Sequence, residues 1–184
     1  MTMNKLLLAL VLGAFLCTSG FAQSWKGELG GIAGVNFGNN SVTGGGFGVD
    51  AAGRIYREIA VTGRYVYNRR EQQDCLFCTS ISSNVHEALG GLRVSLTPGS
   101  AIRPYVSFAA GATRFTNTRI ASGAGTSNIN GPGTHLAWSP GGGVSRDITD
   151  RLGVKLDVQY VKPVNLPGAG YVRAGAGFFM RFKQ

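Results

Sequence analysis

Three places in this chain carry side chains whose types could do chemistry. The first is Cys75-Leu76-Phe77-Cys78. A redox pair of this spacing needs a strand-to-helix setting, and a structural metal site needs about four ligands where this offers two. The pair sits in a polar stretch between strand-like segments, so it reads as a small disulfide clip in a compartment that permits one. The second is His135 with Ser139. Nucleophilic hydrolysis needs a base within hydrogen-bond reach of the hydroxyl. These two share a strand face but stand well apart along it. The third is His86 beside Glu87, whose side chain points to the opposite face, with alanine at 88. No catalytic residue, cofactor or metal site follows. Both histidines read as rim residues, and no enzyme activity is expected.

The elements around these residues begin with a segment to be set aside. Lys5 precedes the apolar run Leu6–Leu16, and Gly20-Phe21-Ala22 supplies small residues for cleavage. Residues 1–22 are therefore read as a signal peptide, too short in its apolar part to span a bilayer as a helix. Cys17 does not read as a lipid attachment site, because Ala14-Phe15-Leu16 lacks the small residues that lipidation needs. Residues 23–184 then form one domain. The chain carries 29 glycines among 184 residues and a formal charge of +9. A basic chain suggests nucleic acid or an anionic surface. Its arginines are scattered along strands and not clustered, so nucleic acid is not an expected partner, and lumen, loop and lipid-headgroup roles are.

Eight segments alternate with period two, which is strand periodicity: 26–37, 45–56, 59–67, 85–96, 102–115, 134–146, 151–161 and 170–182. In the last, Val172, Ala174, Ala176, Phe178, Met180 and Phe182 share one face and Tyr171, Arg173, Gly175, Gly177, Phe179 and Arg181 the other. Arg114 breaks its segment's apolar face at the loop end, where it can snorkel outward. Pro140 and the glycines after it predict a bulge or bend. Connections alternate long and short, with tight turns at Arg57, Pro98 and Thr149 and polar loops at 69–84 and 116–133. An even strand count with this alternation is the habit of a transmembrane barrel.

The face opposite the apolar one carries glycine, small polar residues and few, mixed charges. Asp50, Arg54, Arg64, Glu87, Arg93, Lys155 and Asp157 are read as lumen charges, with Glu28, Arg173 and Arg181. A narrow lumen can pair such charges internally. A soluble lipocalin-like barrel would hide its apolar face inside and show many lysines and glutamates to water. The expected fold is all-β, an eight-stranded antiparallel up-and-down transmembrane β-barrel.

The segments 103–111 (Arg103-Pro104-Tyr105-Val106-Ser107-Phe108-Ala109-Ala110-Gly111) and 141–160, with the closing strand, resemble the small outer-membrane β-barrel family of OmpA-like or opacity-type barrels. Arg173, Gly175, Phe178, Met180 and the aromatic Phe182 match that family's assembly signal, although Lys183 and Gln184 follow where such chains usually end. The resemblance implies the cell outer membrane, its lipids, the barrel assembly machinery and periplasmic chaperones as partners. It also implies a structural or surface-interaction role, with an extracellular ligand or surface met by loops 69–84 and 116–133. The length leaves no room for a peptidoglycan-binding domain. The alternatives are a narrow ion-conducting pore, a lipocalin-like periplasmic ligand binder and an outer-membrane lipid hydrolase. The chain is similar in size to the lipid A deacylases, but their serine two residues after the histidine is absent at Ala137.

Overall fold

The computed structural model describes residues 27–38, 42–56, 58–75, 78–97, 102–122, 125–129, 133–166 and 169–182. The signal segment and the Pro98-Gly99-Ser100 turn lie outside these residues. The alternating segments form β1 (Gly27–Gly38), β2 (Val42–Arg54), β3 (Ile59–Cys75), β4 (Cys78–Ser95), β5 (Ile102–Ser122), β7 (Gly133–Asp147), β8 (Leu152–Pro163) and β9 (Tyr171–Phe182). A short strand, β6 (Gly125–Ile129), lies between β5 and β7 in the chain. Each barrel strand pairs antiparallel with its sequence neighbour, and β1 pairs with β9 to close the sheet. Closure leaves no unpaired edge inside the barrel, which is the condition for strands to cross lipid.

The register fixes the barrel's dimensions. From Ala33, partners across the ladders run through Phe47, Tyr67, His86 and Arg114 to Thr134. In the other direction they run through Ala176 and Leu156 to Val144. The two paths meet β7 ten residues apart, and that offset is the shear. Eight strands with this shear tilt by roughly 40° and hold the backbone about 8 Å from the axis. Side chains fill a tube of that width.

At one end, here the turn end, the connections are tight. The amides of Ile55 and Tyr56 both donate to the Ile59 carbonyl, and those of Ile148 and Thr149 both donate to the Leu152 carbonyl. Thr149 Oγ1 accepts a further bond from the Leu152 amide at 3.0 Å. The other end, the hairpin end, differs from the sequence reading. Residues 69–84 are not an irregular loop: β3 and β4 continue as a paired hairpin, with Cys75 in register opposite Cys78. The stretch from 116 likewise continues β5 to Ser122, and β6 folds back to pair with it from Thr118 to Ser122. A bulge sits where Ser82 and Asn84 of β4 meet Arg119 and Thr116 of β5. Asn117 takes up the extra residue at φ 50°, a conformation that asparagine tolerates better than most side chains.

Pro140 does not shift the register. Pairing to β8 runs through Trp138 and resumes at Gly141 on the same offset, while pairing to β5 continues through Pro140. Proline offers no amide to a ladder, so it sits where pairing to one neighbour lapses.

Outward positions are apolar and exposed on every barrel strand; Phe47, Leu136, Leu156 and Phe178 each expose 65% or more. Inward positions hold the buried set: Ile32, Val66, Val85, Leu89, Tyr105, Val161, Tyr171 and Phe179 together with polar and charged groups. This is the inverse of a water-soluble barrel.

Candidate functional site

The inward charges are layered along the axis. Nearest the turn end, Glu28 accepts from Arg93 and, at 2.9 Å, from Arg181 Nε. Arg181 Nη1 also reaches Asp147 at 2.5 Å, and Arg103 donates to the same carboxylate. Asp147 belongs by sequence to a tight turn, yet it is the last residue of β7 and completes a five-residue chain across the lumen. The middle layer holds two pairs. Arg64 grips Asp157 with both terminal nitrogens, at 2.8 and 3.2 Å, and the Tyr105 hydroxyl donates to the same carboxylate at 2.8 Å. Lys155 pairs with Asp50.

Toward the hairpin end, Glu87 is fully buried. It accepts from Arg173 Nη1 at 2.6 Å, from the Tyr171 hydroxyl and from the Asn68 amide. Asn36 donates to Asn68 at 3.0 Å. Ser139 donates to Gln159 at 2.9 Å, and Gln159 also accepts from Arg173. Arg70 lies over the Tyr171 ring at 4.4 Å and donates to the Ala169 carbonyl.

Two glycines make room for this packing. A Cβ on Gly143 would meet the Tyr105 hydroxyl, and one on Gly46 would meet the Asn68 amide. Glycine inside the lumen is therefore a fit to a large polar neighbour on the adjacent strand.

Burying charge costs several kcal/mol per ion unless it is paired and hydrogen-bonded. Here Glu28, Asp50, Glu87, Asp147 and Asp157 each meet at least one cation, and the cations so engaged are Arg64, Arg93, Arg103, Lys155, Arg173 and Arg181. Arg54 lies at the inward end of β2, half-buried, without an ion pair among the described residues. A cavity of about 20 Å³ opens between Asp50, Arg64, Arg93, Tyr105 and Gln159, room for a water and not for an organic ligand.

No protein-family model matches the sequence, and no curated protein matches it. Solved structures do. Ail, the attachment invasion locus protein of Yersinia pestis, is 12% identical with a TM-score of 0.57, and the match covers 86% of this chain and 99% of Ail. Neisserial surface protein A is 13% identical with a TM-score of 0.56, covering 86% and 97%. OprG, an outer membrane protein of Pseudomonas aeruginosa, is 14% identical with a TM-score of 0.53, covering 88% and 97%. The chain has the fold of the small outer-membrane β-barrels.

Within this barrel the residues with catalytic potential are not brought together. Ser139 is buried in the lumen against Gln159. His135 shares its inward side higher on β7, with the Phe115 ring edge-on at 6.1 Å. His86 faces outward, its Nδ1 2.8 Å from the Tyr65 hydroxyl, while Glu87 faces inward to Arg173. Among the described residues no group of three His, Cys, Asp or Glu could hold a metal ion. The thiols of Cys75 and Cys78 lie outside the described side chains. Of the closing-strand residues, Phe178, Met180 and Phe182 face outward, Arg173 is buried at Glu87, and Gly175 packs inward against Ile32.

Arg103 and Tyr105 alternate with the outward Val106 and Phe108 on β5 and so fall inward by parity, but their partners were not legible. Asn36 carried no signal beyond an inward position at a strand end, and Asn68 and Asp147 fall just outside the segments 59–67 and 134–146, so neither was read as a lumen residue.

Proposed function

We propose that this protein resides in the cell outer membrane as a barrel with a structural and surface-interaction role, carried by the β3–β4 and β5–β6 hairpins. One observation carries the reading: the ladder is much taller on one side. β3, β4 and β5 run 17, 18 and 21 residues, against 12 for β1, β8 and β9. Five extra residues extend a strand by about 16 Å, which lifts a paired sheet above the apolar belt. A sheet held by its own ladder offers a firmer surface than a free loop would. In this orientation the tight turns are periplasmic and the hairpins extracellular.

Removal of residues 1–22 precedes insertion. The assembly machinery, served by periplasmic chaperones, reads the outward Phe178, Met180 and Phe182 with Arg173 and Gly175 on the closing strand. A Cys75–Cys78 disulfide clips the tip of the β3–β4 hairpin, where the two residues are register partners. Ail, similar in fold, is known in complex with the heparin analogue sucrose octasulfate, and heparin is accordingly the first probe for a surface ligand.

The test replaces Arg69 and Arg119, exposed cations on the extended parts of β3 and β5, by glutamate, because a polyanion such as heparin is held by cations. Arg69→Glu/Arg119→Glu should still migrate as a folded, heat-modifiable barrel from the outer-membrane fraction. Cells carrying it should lose binding to heparin-coated beads shown by the unaltered protein. Equal binding by both forms, or none by the unaltered protein, would remove these hairpins from the proposed role.

A further inference from the structure

The ion-paired groups of the lumen are five acids and six cations, so most of the excess basicity of the chain sits elsewhere, and part of it stands on the outer wall. Arg69 on β3 and Arg114 on β5 are exposed at outward positions just above the apolar belt. Neither has an ion pair among the described residues. Between them on β4 lie Asn84, in register with Arg69, and His86, in register with Arg114. His86 is held in place: Tyr65 bonds its Nδ1 at 2.8 Å, and the Tyr67 ring stands 5.2 Å away. Two strand spacings and a two-residue offset put the two arginine Cα atoms about 12 Å apart, within the combined reach of their side chains. The next outward residue on β3 is Glu71, a step farther from the belt. Below the row, Gly63, Gly90 and Ala110 are register partners on the outward face. The wall there is shallow and passes acyl chains close to the backbone.

We propose that Arg69 and Arg114, with Asn84 and His86 between them, form a binding site on the outer wall for the phosphate of an anionic membrane lipid. The chemistry selects the ligand. Two guanidinium groups and an amide donor within reach of one another suit a phosphate, which takes bidentate charge-assisted bonds. Their position at the end of an apolar wall suits a phosphate that carries acyl chains. This inference rests on the membrane-spanning reading of the barrel.

The experiment refolds the mature chain in micelles and measures, by native mass spectrometry, retention of phosphatidic acid against phosphatidylcholine of matched chains. Heat-modifiable migration is scored for every sample, so a failed barrel is recognised separately from a failed site. The wild type should prefer phosphatidic acid by about tenfold, and Arg69→Gln/Arg114→Gln should reduce this to about twofold or less. Arg114→Lys, which keeps the charge but loses the fork, should fall between them. Arg146→Gln alters an outward arginine at the turn end and should leave the preference intact. A preference that survives the double substitution, or that falls equally with Arg146→Gln, would overturn the site in favour of general attraction. Displacement of the lipid by millimolar inorganic phosphate would overturn the lipid assignment.

Discussion

The Arg173–Glu87 pair gives the sharpest test of how the lumen is held together. Arg173 is 2% and Glu87 0% exposed, with 2.6 Å between Nη1 and the carboxylate. Arg173→Met keeps a long side chain and removes the charge. Glu87 would then keep two neutral donors, the Tyr171 hydroxyl and the Asn68 amide. Among the described residues the cation left near it is Arg70, whose guanidinium is turned onto the Tyr171 ring. Removing one partner of a buried pair costs about 3–5 kcal/mol. With a urea slope of roughly 2 kcal/mol/M, the unfolding midpoint should fall by about 2 M. The assay is urea unfolding of the refolded barrel in micelles, read as loss of the fast-migrating folded band. It uses refolded protein because Arg173 also belongs to the strand proposed as an assembly signal. Glu87→Gln/Arg173→Met removes both charges and should recover all but about 1–2 kcal/mol, so the coupling between the sites is large. A single substitution that moves the midpoint by less than about 0.3 M, or a double variant no better than the single, would refute the idea that this pair is a desolvated charge lock.

Leu156 exposes 65% of its surface between Val144 and Ala176 on the outer wall. Leu156→Arg should therefore cost about 2–4 kcal/mol in lipid and deplete the heat-modifiable form, whereas normal insertion would reverse the facing assignment. Gly143→Val would put a Cβ against the Leu156 carbonyl oxygen and 2.7 Å from the Tyr105 hydroxyl; it should strain the β7–β8 ladder, push that ring off Asp157 and destabilise the refolded barrel by about 1–3 kcal/mol in the same urea assay. Phe178→Asn/Met180→Asn should lower the amount inserted in cells by more than it lowers refolding yield in micelles, and equal losses would deny the pair an assembly role. Alkylation of outer-membrane protein without reductant should leave Cys75 and Cys78 unlabelled, and two added labels by mass spectrometry would rule out the clip.

Much of the barrel was legible because a membrane-spanning strand is held to a strict rule. Each outward residue in the belt meets lipid and each inward one a narrow polar tube, so Leu152, Val154, Leu156 and Val158 alternate with Gly153, Lys155, Asp157 and Gln159 without exception. Beyond the belt both faces meet water and the rule lapses. That is why Arg69–Asn84 read as a loop although Arg69 to Gln73 pair residue by residue with Ser80 to Asn84, and why β6 was not foreseen. A ladder is made by amides and carbonyls, which every sequence carries, so a strand without a face requirement leaves no periodic trace. The bulge expected at Pro140 is absent for a related reason: proline's missing donor is absorbed by a local lapse in pairing to β8, which no alternation pattern reports.

The sequence alone determined the number of barrel strands, their inward and outward faces and most of the charges that enter the lumen, although Arg70, Arg103 and Asp147 were not among those it named. These follow from periodicity, which is local. Which charges meet was decided only by closure. Asp50 faces Arg64 across the β2–β3 ladder, yet it pairs with Lys155 from the far side of the barrel, while Arg64 takes Asp157, 93 residues away. Those partnerships depend on the ten-residue shear, and the shear is the sum of every register round the ring. The same holds for Arg69, Asn84, His86 and Arg114, which come from three strands and become one surface once the ladders are set.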